Sequence, residues 1–337
     1  MIKNLLSILI VIIGFTTLNA QVYVGEIKHS KSIYTNKPDE LKQEDFDKIK
    51  NAKIFFVYNE DVYQSSFNLE QFKTMVKNSW DVSEYEVISE SEIISKVKIG
   101  DAIVYFTTSE YRSSNMAFNA DKSYENTRIE FSILKEYKVK KKETLLDTFI
   151  FADIFISIGS RTSVGMVQTS VKKENQLKLH TGKFQIENYF RFINNKIKNN
   201  ESFISWGDFS TSEISDLKNN DLLISYLSIM GYTIKEYIGN GYTLEQIESH
   251  HKNKTLKKYD YSFVLKQEDE ISELLYEKTK NNELAYYLVM NPSRHFKVVN
   301  IFDNKGNMVF QNYQGASWMI NNKDLKNLNK AIETGSF

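Results

Sequence analysis

Apolar residues along this chain fall into two alternating patterns. Short unbroken runs such as "AKIFFVY" (Ala52 to Tyr58), "DAIVYFTT" (Asp101 to Thr108) and "ELAYYLV" (Glu283 to Val289) are the length of strands covered on both faces. Between them, apolar side chains recur at helical spacing, as Leu69, Phe72 and Val76 do after Asn68, a good N-cap. Ser89 and Glu92 have the spacing of a capping box and predict a short helix through Val97, after the strand "YEVI" (Tyr85 to Ile88). The first half therefore reads strand, helix, strand, helix, strand. Two longer strands, Thr127 to Val139 and Thr144 to Gly159, and a helix over Ile186 to Lys198 complete it.

The same order recurs downstream. "ISDLKNNDLLISY" (Ile214 to Tyr226) parallels "FDKIKNAKIFFVY" (Phe46 to Tyr58) without a gap, and Leu244, Ile247 and His251 take the places of Leu69, Phe72 and Val76. "YSFV" (Tyr261 to Val264) answers "YEVI", "DEISELL" (Asp269 to Leu275) answers "SEIISKV", and "ELAYYLV" answers "DAIVYFT". The segment His295 to Tyr313 is two strands around a turn in which Gly306 supplies positive φ, and Asn322 to Ile332 is a closing helix. The expectation is an α/β (α+β) fold of two tandem β-α-β-α-β-β-β-α modules related by internal duplication, each a mixed sheet with helices packed on it. Its boundaries are a leader over 1–20, a polar lead-in over 21–45, a first module over 46–200, a linker over 201–213 and a second module over 214–337.

The leader is the most specific local signal. A positive start, the apolar run Leu5 to Phe15 and a small residue at Ala20 match a secretory signal peptide cleaved after Ala20. The run is short for a permanent membrane span. Export to the periplasm or beyond is the expectation, with no permanent transmembrane segment. Lys plus Arg and Asp plus Glu are both 43 in 337 residues, so no global charge excess invites nucleic acid. Cysteine is absent, which removes disulfides, thiol chemistry, cysteine-ligated metals and a lipidated junction cysteine.

"YEVISESEI" before the third strand and "VNIFDNKGNMVF" after it, with the turn Asp303-Asn304-Lys305-Gly306, resemble a family of bacterial envelope α/β domains. Those domains occur in the curli secretion channel subunit, the lipoprotein activators of penicillin-binding proteins and the amino-terminal part of the Tol-system β-propeller protein. The resemblance implies assembly or partner binding without catalysis. This chain departs from the family in lacking a lipidated cysteine and in carrying two copies. A thioredoxin-like order, β-α-β-α-β-β-α, fits nearly as well and would be a non-redox version.

Candidate chemistry is sparse. His250 and His251 are adjacent on a helix, where neighbouring side chains diverge by about 100° and cannot both face one ion. Glu90, Glu92, Glu268, Asp269 and Glu270 fall in first turns of predicted helices, where acids complement exposed N–H groups. "IGSRTSVG" (Ile158 to Gly165) lacks the lysine and helix start of a phosphate loop, and "KVKKK" (Lys138 to Lys142) reads as a solvated hairpin end. No catalytic, metal or cofactor constellation is assigned.

Two segments carry the functional expectation. The stretch 108–126 reads as a long loop bearing Tyr111, Met116, Phe118 and Tyr124. The stretch 231–243, an insertion in the second copy, displays Tyr232, Tyr237 and Tyr242 around Gly239-Asn240-Gly241. Aromatic loops with few charges suit an envelope protein partner. The other reading is a glycan or small-molecule binder with the ligand between the modules, in a cleft lined by residues such as Trp80 or Trp206.

Overall fold

The computed structural model describes residues 22–24, 41–59, 67–115, 120–140, 143–160, 171–172, 176–177, 182–204, 208–226, 228, 241–292, 296–315 and 320–336. The leader lies outside them.

The first module runs β1 (Val22–Val24), α1 (Gln43–Asn51), β2 (Ile54–Tyr58), α2 (Leu69–Ser79), β3 (Tyr85–Ser89) and α3 (Ile93–Lys96). The strands β4 (Ala102–Asn115), β5 (Ala120–Lys140) and β6 (Glu143–Ser160) follow, then a small ribbon of β7 (Val171–Lys172) and β8 (Gln176–Leu177), and α4 (Lys183–Lys198). After β9 (Phe203–Ile204), β10 (Phe209–Ser210) and a 3-10 turn over Ser212–Lys218 come β11 (Leu222–Ser225), α5 (Leu244–His250), β12 (Phe263–Lys266) and α6 (Glu268–Lys280). The chain closes with β13 (Tyr286–Pro292), β14 (Phe296–Asp303), β15 (Met308–Gly315) and α7 (Asn322–Thr334).

Local signals set most of these boundaries. Asn68 and Gln71 form a reciprocal capping box at α2, and Thr243 with Gln246 makes the same pair of hydrogen bonds ahead of α5. Ser89 caps with Glu92, and Gln267 with Glu270. Gly306 turns β14 into β15 at φ +91°.

The strand order is β3-β2-β4-β5-β6-β1-β9 in one sheet and β10-β15-β14-β13-β11-β12 in the other. From β3 to β6 and from β12 to β15 the order and the sense of every pairing are the same: two parallel pairs, then two antiparallel ones. The register moves two of the expected correspondences. Ile54 pairs with Tyr85 and Ala102, and Leu222 pairs with Phe263 and Tyr286. Tyr85 thus corresponds to Phe263, and Ala102 to Tyr286, each two residues beyond the sequence reading. A slip of two keeps each side chain on the same face, so the hydrophobic pattern could not reveal it.

Two further readings are corrected. The expected linker is not a connection alone: Phe203–Ile204 pairs with β1 in the first sheet, and Phe209–Ser210 pairs with β15 in the second. The expected loop over 108–126 is instead mostly a hairpin. β4 and β5 stay paired from Ala102↔Ile133 to Asn115↔Ala120, leaving 116–119 between them.

The modules are fused through one core. The inner face of the first sheet (Ile54, Phe56, Val104, Phe131) packs on α1, α2 and α4. The far side of α4 packs on the second sheet: Phe184 meets Tyr287, and Tyr189 and Phe192 both meet Phe302 edge-on. Phe190 points the other way, onto Phe56, Phe72 and Phe131. Eleven of the sixteen residues of α4 are buried, so this helix has a partner on nearly every side. α6 lies against α4 in the same layer, while α7 and the 3-10 turn cover the opposite face of the second sheet. Among the described residues no helix is long and apolar enough to cross a membrane.

Candidate functional site

In a sheet ordered second-first-third, ligands gather outside the carboxyl ends of the first and third strands, where the connections diverge to opposite sides. In the second module that point lies at the end of β11. Ser225 Oγ and Ser228 Oγ are 3.0 Å apart, the Ser228 N–H donates to Ser225 Oγ at 3.1 Å, and Ser228 Oγ donates to the Leu288 carbonyl of β13 at 3.3 Å. These bonds tie the exit of β11 to β13.

Glu268 is the first residue of α6 and reaches into this corner. Burial pushes its carboxyl up to about 7, with the Ser225 side chain and the Gly182 N–H drawing it partly back and Asp269 adding a small upward push. Its Oε2 is sealed from solvent without a hydrogen-bond partner. Gly182 is the N-cap of α4 and has no side chain to cap it, so Glu268 supplies an acid to the N-terminal end of a helix belonging to the other module. The approach is tight: a Cβ on Gly182 would sit 2.5 Å from Ser272 Oγ and 3.2 Å from Glu268 Cγ. The corner is a hydroxyl-lined seam, built from β11, α6 and the start of α4.

Beside it runs a buried polar network that locks the modules. Arg191 pairs with Glu187 at 2.6 Å within α4, and the Tyr276 hydroxyl of α6 donates to Glu187 Oε2 at 3.0 Å. Burial holds the Glu187 carboxyl above its ordinary value despite Arg191, Tyr276 and Asn78. Asn188 Nδ2 lies 3.0 Å from the Tyr287 hydroxyl and donates to the Asp303 carbonyl at 2.8 Å, and Arg191 reaches the Asn304 carbonyl at 3.2 Å. The guanidinium also stands over the Phe184 ring, 5.8 Å from its centroid. Gly306 is required here for a second reason, since a Cβ would meet Arg191 Cγ at 2.9 Å.

The first module has the equivalent corner in a different state. Glu90, which like Glu268 directly follows an N-cap, accepts from Asn59 Nδ2 at 2.6 Å and is exposed. Nothing equivalent to the start of α4 covers it among the described residues.

The candidates from sequence fall as follows. Tyr111 on β4 and Tyr124 on β5 occupy directly opposed register positions of the long hairpin. Met116, Phe118, Tyr232 and Tyr237 lie outside the described residues. Tyr242 is 51% exposed, just ahead of α5. Trp80 is core, packed on Phe56 and Phe131, and Trp206 lies outside the described residues. His250 is exposed, whereas Met75 at its aligned position is buried, and His251 opens a π-helical turn through Thr255. Glu92 and Glu270 serve as capping-box acids, as their positions imply. Lys138 pairs with Glu136 and Asp147 at the hairpin end. Arg161 to Gly165 lie outside the described residues. Among those residues no group of three His, Asp or Glu is placed to hold a metal ion. The seam at Glu268 escaped the sequence reading, because a first-turn glutamate looks the same whether or not another helix end covers it.

No protein family, curated protein or solved structure matches this chain.

Proposed function

We propose that the chain is an exported, non-catalytic envelope protein that binds a partner protein through the segments leaving the carboxyl ends of its parallel strands. One observation carries this reading: both aromatic segments singled out from sequence start at such ends. β4 runs on past its pairing with β2 into the hairpin that holds Tyr111 and Tyr124, and the stretch bearing Tyr232, Tyr237 and Tyr242 begins just after Ser228, at the end of β11. The shared inter-module core favours recognition, since the strands from which both segments depart are joined to one packed frame. Export rests on the order of charge, apolar run and small residue at the leader. Descent of the modules from one duplicated unit rests on the shared strand order and on the matched capping boxes.

The test is crosslinking in intact cells with the tagged chain, followed by mass spectrometry, against a variant carrying Tyr232→Ala, Tyr237→Ala and Tyr242→Ala. A specific envelope protein captured by the parent and lost in the variant supports the proposal. No capture, under conditions that recover a known complex, sinks it.

The second reading, a glycan or small molecule between the modules, draws on Glu268, a near-neutral carboxyl beside the Ser225 hydroxyl. Against it, Trp80 is spent in the core and α4 approaches α6 too closely at Gly182 to leave room for a ligand there. A thermal-shift screen of sugars and small polar ligands, showing no shift, would dismiss it.

A further inference from the structure

The lysines of this chain are not treated alike. Several, in the first module and along the flank of the second, stand in ion pairs: Lys48 with Asp45, Lys53 with Glu86, Lys73 with Glu70, Lys96 with Glu86 and Glu92, Lys278 with Glu283. Others, such as Lys42, Lys77 and Lys98, have no such pair among the described residues but lie scattered over the first module. The outer side of α7 is different. Its exposed residues Lys323, Lys326 and Lys330 follow the spacing i, i+3, i+7 and form one stripe, while Leu325, Leu328 and Ile332 turn into the core. Lys257 and Lys258, also exposed, stand alongside this stripe. Asn329 of α7 fixes them there, donating to the Lys258 carbonyl at 2.7 Å and to Asp260 Oδ2 at 2.6 Å, and accepting from the Asp260 N–H at 3.2 Å. Among the described residues none of these five ammonium groups has a carboxylate within ion-pair distance. The acids on the same side are Asp260, engaged by Asn329, and Glu333, which closes the stripe at the far end of the helix.

We propose that this outer side of the second module docks on an anionic phospholipid surface. A chain with no net charge has concentrated five unpaired cations on one helix face and its neighbouring turn, where mutual repulsion costs stability unless an anion meets them. The composition of the stripe selects the partner. Among the described residues it has no arginine fork for bidentate recognition of a fixed carboxylate or base edge, and no exposed aromatic residue among its lysines on which a nucleobase could stack. Lysine is a compact point charge on a flexible stem, suited to mobile headgroups that rearrange beneath it. From Lys323 to Lys330 the stripe is about 10 Å long, and each lysine near such a surface strengthens binding roughly five-fold at moderate salt. The surface uses residues other than the aromatic segments, so it stands or falls separately from the partner reading.

The experiment is vesicle flotation with the full chain. The probes are vesicles of phosphatidylcholine alone and of phosphatidylcholine with about 30 mol % phosphatidylglycerol, at roughly 50 and 300 mM salt. The chain is expected to float with the anionic vesicles only, and less at the higher salt. The triple variant Lys323→Gln, Lys326→Gln, Lys330→Gln should lose on the order of 100-fold in partitioning. A control triple at paired lysines, Lys48→Gln, Lys73→Gln, Lys96→Gln, should match the parent, and circular dichroism should confirm that all chains are folded. The apolar run Leu5 to Phe15 is common to parent and variants, so it cancels in the comparison. Equal flotation of parent and α7 variant overturns the proposal. So does failure to float with anionic vesicles at low salt. If duplex DNA displaces the chain from vesicles at equal phosphate concentration, the surface is a general polyanion site and the lipid assignment is wrong.

Discussion

Glu90 and Glu268 occupy the same position in two modules of the same topology, one residue past the N-cap of the helix that follows the second parallel strand. Glu90 is exposed and held by Asn59, while Glu268 is half-buried with its Oε2 sealed from solvent and its carboxyl pushed up to about 7. Neither strand order nor local sequence separates them. The difference comes from a third party, since the start of α4 covers one and not the other. In a stacked arrangement like this one, a residue's chemistry is set as much by the neighbouring module as by its own.

Three substitutions would break or sharpen this contrast. The largest effect is expected at the lock itself. Arg191→Ala removes the cation facing the buried Glu187 and leaves that acid in the shared core without a counter-charge, with the Tyr276 hydroxyl still donating to it. A loss of about 3–5 kcal/mol in urea unfolding is expected, against less than about 1 kcal/mol for Lys198→Ala, which breaks the exposed pair with Asp81. Equal losses at the two sites would mean that the lock contributes nothing special.

Gly182→Ala comes next. Its Cβ would collide with Ser272 Oγ, so destabilisation of about 1–3 kcal/mol is expected. Adding Ser272→Ala removes the struck atom and should restore part of the loss. No rescue would show that the glycine matters for the backbone and not for the approach of the two helices.

The smallest effect is the most specific. The folded-state pKa of Glu268 is raised above the ordinary 4.5, so the native chain holds the proton more tightly than the unfolded one. The stability associated with this group is therefore fully present below about pH 4.5 and falls as pH rises toward and through 7. Glu268→Gln should leave stability near pH 4.5 little changed and raise it at pH 8, by on the order of 1–3 kcal/mol. Chemical denaturation of the parent and Glu268→Gln across that range decides the matter, and parallel pH profiles would show that the covered acid titrates no differently in the folded and unfolded chain.

Much of the fold is written locally. Asn68 with Gln71, Ser89 with Glu92 and Gly306 at its turn announce their elements through hydrogen bonds and backbone freedom that reach only a few residues. The alternation of buried and covered faces gave the order of strands but not their register to better than two residues, as the shifts at Phe263 and Tyr286 show. The hairpin beyond Phe106 looks like a loop in the sequence because "TSEYRSS" offers few apolar residues, and its pairing with β5 is a long-range backbone matter. Phe203 and Phe209 look like linker in the sequence because a two-residue strand has no period to detect. The site was least legible of all. Glu268 owes its burial to Gly182 in the other module, and no window of sequence holds both.

The placement of α4 between the sheets has a consequence for how the chain comes to be. Synthesis from the amino end delivers Phe184, Tyr189 and Phe192 well before Tyr287 and Phe302, the rings that cover them. Until then the first module carries an aromatic face with nothing on it, a hold point at which a chaperone can bind or a protease can cut. A chain stopped near Asn200 would leave those rings uncovered, the kind of exposed apolar surface that makes a partly made protein prone to aggregate, and arrival of the second module ends that exposure.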